Sequence, residues 1–346
     1  MHMKYIGLDL HKKNIFATVL DDGGKIISKV QIRSKKEDIY YYLKKQQETD
    51  NLSIAMEASY NWQYYYRIIE NLTDNITLAH PLKTRIIGEA KIKTDKIDSR
   101  VLAYMLKADM LPACYVPSKD AMENKILLRS RISLVRIRTQ IKNKIHAIID
   151  RNRDSYNGLL DNLTDIFGKT GIKILQNTKI QEVDYKILID QLDLISYINE
   201  KIKNIEAEIG KKALMDDDIK LLKTIPGIGD FTAFLIKSEI DDICGFSSKE
   251  RLCSYAGLVP SIYSSGEKLY RGRITKQGNK YIRWALCEAA QISLRSSLYF
   301  RYYYYKVKNR KNTNSAIIAL ARRMLEIVYV ILKEKREYIE KPINVL

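Results

Sequence analysis

The first hundred or so residues constrain the fold of this 346-residue chain more than any other stretch, because apolar periodicity there changes from strand to helix in a fixed order. KYIGLDL (4–10) and NIFATVL (14–20) read as strands, the DDGG turn (21–24) permits a tight reversal, and KIISKVQI (25–32) returns as a third strand. Residues 36–48 then step helically, LSIAMEA (52–58) reads as a buried strand, 60–72 as a helix, NITLAH (75–80) as a short strand, and 94–108 as a helix beginning at Thr94. Three hairpin strands followed by alternating helices and strands predict a mixed sheet covered by helices.

That order of elements is the one found in the ribonuclease H fold, where the first and fourth strands are neighbours at the sheet centre. It gives meaning to four scattered acids. Asp9 lies near the end of the first strand and Glu57 closes the fourth. Asp95 and Asp98, in KIKTDKIDSR (91–100), stand three positions apart at a helix start and so share a face. Carboxylates forced together repel unless a cation neutralises them, and hard oxygen donors select Mg²⁺ or Mn²⁺. Such a site performs phosphoryl transfer, with one or two ions stabilising the attacking and leaving oxygens. Lys91, Lys93, Lys96 and Arg100 surround the acids and would hold a polyanionic substrate against them.

Charge points to the same class of partner. Lys and Arg total 59 against 41 Asp and Glu, a formal net charge of +18, which predicts attraction to a polyanion. Residues 268–311 carry twelve basic side chains against Glu288 alone. No apolar run approaches the roughly 20 residues of a membrane-spanning helix, and the N-terminus reads as a strand, not a signal peptide; a cytoplasmic protein without membrane contact is expected. Cys114, Cys244, Cys253 and Cys287 lack metal-binding spacing and are expected as buried free thiols.

From about 119 to 213 no convincing strand appears. Leu188, Leu192, Ile195, Ile198, Ile202, Ile205 and Ile209 form a near-heptad seam, which suits a coiled coil, in a dimer or as a hairpin within the chain, or one amphipathic helix packed on a core. RSRISLVRIRTQIKNKI (129–145) places Arg129 and Arg131 on a helix that would line a nucleic-acid channel or form a solvated face. Near 218 a helix, the turn IPGIG and a second helix give a helix-hairpin-helix pattern, in which Gly227 and Gly229 permit close backbone approach to a phosphate. The expected divisions are a nuclease domain over 1–115, a helical and coiled-coil segment over 116–215, and a mainly α C-terminal domain over 216–346.

IGLD (6–9), MEAS (56–59), KTDKID (93–98), IPGIG (225–229), AGLVP (256–260), YSSG (263–266) and RGRITKQGNKYIRWAL (271–286) occur in one order along the chain. With them the sequence resembles the DEDD-type transposases of the insertion-sequence one-ten class. The resemblance implies a Holliday-junction-resolvase-like nuclease domain joined to a transposase domain with a catalytic serine. It implies a DNA recombinase working on donor and target DNA, as a homo-oligomer (dimer or tetramer), guided by an element-encoded bridge RNA. By motif, Asp9, Glu57, Asp95 and Asp98 would hold the metal and Ser265 would be the nucleophile; Ser264, Ser261, Tyr263 and Tyr270 are nearby hydroxyls. Arg271, Arg273 and Lys276 would neutralise charge on phosphorus, with Lys280 and Arg283 on the same basic segment. A structure-selective nuclease that uses the acids and water alone is the alternative expectation.

Overall fold

The structure, a computed structural model, describes residues 2–59, 61–81, 83–84, 95–265, 268–340 and 342; for 95–97, 262–265, 268–271 and 273 it describes the backbone alone. The chain divides into two units, Met1–Val116 and Pro117–Leu346.

In the first unit the expected strands and helices appear in the expected order. They are β1 (Met3–Leu10), β2 (Asn14–Leu20), β3 (Ile26–Arg33), α1 (Lys36–Gln47), β4 (Asn51–Glu57), α2 (Trp62–Ile69), β5 (Ile76–Ala79) and α3 (Asp95–Lys107). The sheet order is β3-β2-β1-β4-β5. β1–β2 and β2–β3 are antiparallel, whereas β1–β4 and β4–β5 are parallel. Side chains alternate across a strand, so each face has its own composition. Ile6, Leu8, Ile54 and Met56 pack with Ile39 and Leu43 of α1 and Tyr65, Ile68 and Ile69 of α2. The other face carries small residues, Gly7, Ala55 and Ala79, and there α3 lies down through Leu102.

Gly7 sets how close α3 comes. A Cβ at this position would stand 2.0 Å from the Ser99 carbonyl oxygen and 2.6 Å from the Ala103 amide nitrogen. Gly7→Ala is therefore expected to destabilise the protein by about 1–3 kcal/mol, the usual cost of overpacking, read as a lower midpoint in urea denaturation. An unchanged midpoint would mean that α3 is not held this tightly.

Among its described residues the second unit is helical except for one hairpin. It comprises α4 (Lys119–Arg151), α5 (Arg153–Tyr156), α6 (Lys169–Asn177), α7 (Glu182–Leu214), α8 (Asp217–Lys223), α9 (Asp230–Ile240), α10 (Lys249–Tyr255), β6 (Pro260–Ser265), β7 (Lys268–Ile274), α11 (Lys280–Ser293), α12 (Leu298–Lys308) and α13 (Thr313–Glu334). The heptad seam of α7 is buried against α4 of the same chain: Leu188, Leu192, Ile195, Ile198 and Ile202 pack with Ile141, Ile145 and Ile148. Arg131 meets Glu206, Arg138 meets Asn199 and Arg151 meets Asp184, so the two helices run antiparallel as a hairpin. A second core joins α9, α10, α11 and α13 around Phe234, Leu252, Leu286 and Leu325. Cys253 belongs to that core, and burial pushes its thiol up to about 12. Cys244, expected to be buried, is exposed.

Candidate active site

Asp9 and Glu57 end up side by side. β1 and β4 are parallel with Leu8 opposite Met56, so the next residues, Asp9 and Glu57, lie level at the carboxyl ends of neighbouring strands. Each is two positions beyond a residue of the α3 face, Gly7 and Ala55, so alternation puts both on the α3 side. The helix runs in the opposite direction to β1. Its Ser99–Ala103 segment covers Gly7, whereas Lys107 near its C-terminus reaches Gly24, beyond the far end of β2. The first turn of α3, holding Asp95 and Asp98, is thereby directed toward the Asp9 end of the sheet.

Side-chain detail differs among the four acids. The Asp9 side chain is 13% exposed, and its Oδ2 lies 3.0 Å from Nε2 of His11. Asp98 is half-buried. Next to it, Ser99 is buried and its Oγ hydrogen-bonds Thr18 Oγ at 2.9 Å, pinning α3 to β2. The side chain of Asp95 lies outside the described residues, as does that of Lys96; Lys91 and Lys93 lie outside them altogether. Among the described residues no three His, Cys, Asp or Glu side chains are grouped as metal ligands.

His11 was missed in the sequence. A step of two in extended chain returns a side chain to the same side, and the Asp9-Leu10-His11 spacing is the signal that would have found it. The Tyr65 hydroxyl donates to the His11 carbonyl at 3.1 Å, and the imidazole meets the Phe16 ring edge-on at 6.1 Å.

In the second unit, Tyr263, Ser264 and Ser265 lie at the end of β6, which pairs with β7 as a hairpin. Ser265 ends β6 and pairs with Lys268 of β7, Ser264 pairs with Leu269, and Tyr263 with Tyr270. The side chains of Ser264, Ser265, Arg271 and Arg273 lie outside the described residues. Lys276 and Lys280 are exposed, and Arg283 donates to the Ala256 carbonyl at 2.8 Å.

The arginines of α4 have partners inside the second unit. Arg129 donates through Nε and Nη2 to the two carboxylate oxygens of Glu239, both at 2.9 Å, and its guanidinium lies 4.6 Å from the Tyr281 ring centroid. Asn279 adds a third hydrogen bond to Glu239, whose side chain is fully buried. Burial pulls nearby Lys125 below the usual lysine range, opposed by the charges of Glu239 and Asp241. Arg131 pairs with Glu206 and stacks on Phe231, 4.3 Å from its centroid. Removing Arg129, whose side chain is itself 42% exposed, takes two hydrogen bonds from the fully buried Glu239 carboxylate. Arg129→Ala is expected to cost about 1.5–3 kcal/mol, the value of hydrogen bonds to a charged group, measured by urea denaturation; a change under about 1 kcal/mol, the surface-pair value, would show the pair to be peripheral.

The IPGIG turn joins α8 to α9. Gly227 has φ +89°, and a Cβ there would stand 2.3 Å from the Ala289 carbonyl, so the turn is seated on α11. Gly229 caps α9 and has open space around it.

Comparison with known proteins agrees with this architecture. Residues 6–153 match a transposase family model of the IS110 DEDD type, and residues 219–305 match the model described as "Transposase IS116/IS110/IS902 family". The chain is 22% identical over 349 residues to the transposase for insertion sequence element IS1111A of Coxiella burnetii, covering 97% of this chain and 91% of that protein. It is 25% identical to the transposase for IS1328 of Yersinia enterocolitica, covering 80% and 83%. It is 33% identical over 121 residues to the pilin gene-inverting protein of Moraxella bovis, covering 34% and 38%. Among the described residues no helix is long and apolar enough to cross a membrane. With both transposase models matched in order along one chain, the protein belongs to the IS110/IS116/IS902 family of transposases.

Proposed function

We propose that this transposase cuts and rejoins DNA by phosphoryl transfer, with the acids of the first unit as its cation site and Ser265 as its nucleophile. One observation carries the reading: Asp9 and Glu57 lie level on adjacent parallel strands, on the side toward which the first turn of α3 brings Asp95 and Asp98. The strand order β3-β2-β1-β4-β5 supports a ribonuclease H-like assignment for this unit. The donor set is all carboxylate oxygen, which suits Mg²⁺ or Mn²⁺. Asp9, Glu57, Asp95 and Asp98 would hold the ion, which when bound polarises the phosphodiester and stabilises the oxygens entering and leaving phosphorus. His11 orients the Asp9 carboxylate through its 3.0 Å contact.

In this scheme the Ser265 hydroxyl loses its proton as Oγ bonds to phosphorus, and the bond from phosphorus to the 3′ oxygen breaks, leaving a phosphoserine and a free 3′ hydroxyl. Rejoining reverses the step with another strand's 3′ hydroxyl, so bond energy is conserved without ATP. A relative named for inverting a gene supports rejoining over simple hydrolysis, because inversion must reseal every strand that it cuts. The basic residues Lys91, Lys93, Lys96, Arg271, Arg273, Lys276, Lys280 and Arg283 would carry backbone charge, and the turn at Gly227 and Gly229 would serve as a helix-hairpin-helix phosphate contact. Specificity would come from base pairing with an element-encoded guide RNA, as in other RNA-guided systems. Oligomerisation to a dimer or tetramer fits two-ended strand exchange.

The test is to incubate the protein with Mg²⁺, a DNA substrate spanning the element's end and the transcript of its flanking non-coding DNA. A serine-linked, alkali-labile protein–DNA adduct on a denaturing gel is expected, and chelation with EDTA should remove it. Cleavage without any adduct would leave the nuclease alternative standing.

A further inference from the structure

The α3 side of the sheet holds a cleft that the proposed chemistry leaves unused. It measures about 190 Å³ and is lined by Phe16, Thr18, Lys29, Gln31 and Ser99. Strand register fixes its position beside the acids: Asp9 lies opposite Phe16, and Phe16 opposite Gln31. With strands about 4.8 Å apart, Phe16 is one strand spacing from Asp9 and Gln31 is two. Thr18 and Lys29 form the next same-face pair.

The cleft is built in layers. Its floor is the buried Thr18–Ser99 hydroxyl pair, at 2.9 Å, so those two groups already have partners. Its wall toward the acids is the half-buried Phe16, and its outer rim is Lys29 and Gln31, both exposed on the edge strand β3. A cavity of this size is smaller than the roughly 300–1,000 Å³ of ordinary small-molecule pockets and matches a single ring system. An aromatic wall, an amide with both donor and acceptor, and an ammonium at the rim suit a nucleobase with its phosphate.

We propose that this cleft receives one unstacked base of the cut DNA strand, that of the nucleotide bearing the scissile phosphate. A phosphate at Asp9 and a base one to two strand spacings away are within the reach of one nucleotide. Phe16 stacks on the base, which is tolerant of sequence because every base has a π-face. Gln31 meets the base edge, and Lys29 takes the adjoining phosphate. This deepens the reading of the acidic edge as the cutting site and rests on it.

The experiment uses the full chain and short single-stranded oligonucleotides, one with bases and one wholly abasic. Phe16→Ala and Gln31→Ala are each expected to weaken binding of the base-containing strand by roughly ten-fold and to leave the abasic strand unaffected. In parallel, an iodouracil-substituted strand crosslinked by light should label the peptide that contains Phe16. Equal loss on both strands, no loss on either, or crosslinks confined to other peptides would overturn the cleft. Cutting that persists in those cases would show that the acidic site stands without it, whereas absence of all DNA binding and cutting would remove both.

Discussion

Asp9→Asn is expected to lower metal-dependent strand cutting by at least about a thousand-fold, the scale lost when a group acting directly on the reacting centre is removed, while the fold stays intact. The substitution keeps the shape of the side chain and its place at the end of β1, where it closes no core: Leu8 and Leu10 point to the opposite face and carry the packing. What it removes is one carboxylate from the proposed cation site. His11 lies 3.0 Å from the carboxylate and would still find a hydrogen-bonding oxygen on asparagine. Cutting rates with Mg²⁺ and Mn²⁺, set beside an unchanged circular dichroism spectrum and urea midpoint, decide the matter. If Asp9→Asn cuts as well as the parent, Asp9 is no ligand.

Ser265→Ala should abolish the covalent adduct and the rejoined product together, again by at least about a thousand-fold. Ser265 ends β6 opposite Lys268, so the change removes one hydroxyl and leaves the backbone pairing of the hairpin in place. Ser264→Ala is the control, since Ser264 stands next to Ser265 in β6 and carries the same hydroxyl chemistry. Loss of adduct in Ser264→Ala with retention in Ser265→Ala would move the nucleophile by one residue. Retained cleavage with no adduct in either parent or variants would identify a nuclease that uses water.

Much of the first unit was legible because its signals are local. Strand alternation at 4–10, 14–20 and 25–32, the DDGG turn and the later change to helical periodicity together give the order of elements, and the order restricts the sheet. The closeness of α3 was not legible: Gly7 reads as an unremarkable strand glycine until Ser99 and Ala103 are found against it, some ninety positions away. The heptad seam of α7 was visible, but its partner was not, since a seam reports that something covers it and not what. The acidic partners of Arg129 and Arg131 were not legible, because Glu239 and Glu206 are 110 and 75 residues distant. The β6–β7 hairpin was overlooked because PSIYSSGEKLYRGRI mixes serines, glycines and charges, which blurs a period of two. Among the proposed site residues, the acids at strand ends were the legible part, and His11 was not, because its nearness to Asp9 shows only once β1 is known to run out to Leu10.

The central claim is that these acids share a divalent cation, and local cleavage by bound iron reads that most directly. With Fe²⁺ in place of Mg²⁺, ascorbate and peroxide generate hydroxyl radicals that cut the backbone nearest the ion. The account predicts cuts at the end of β1 near Asp9, at the end of β4 near Glu57 and at the start of α3, all suppressed by excess Mg²⁺ and absent in Asp9→Asn. Cuts confined to other segments, or an unchanged pattern in Asp9→Asn, would contradict it.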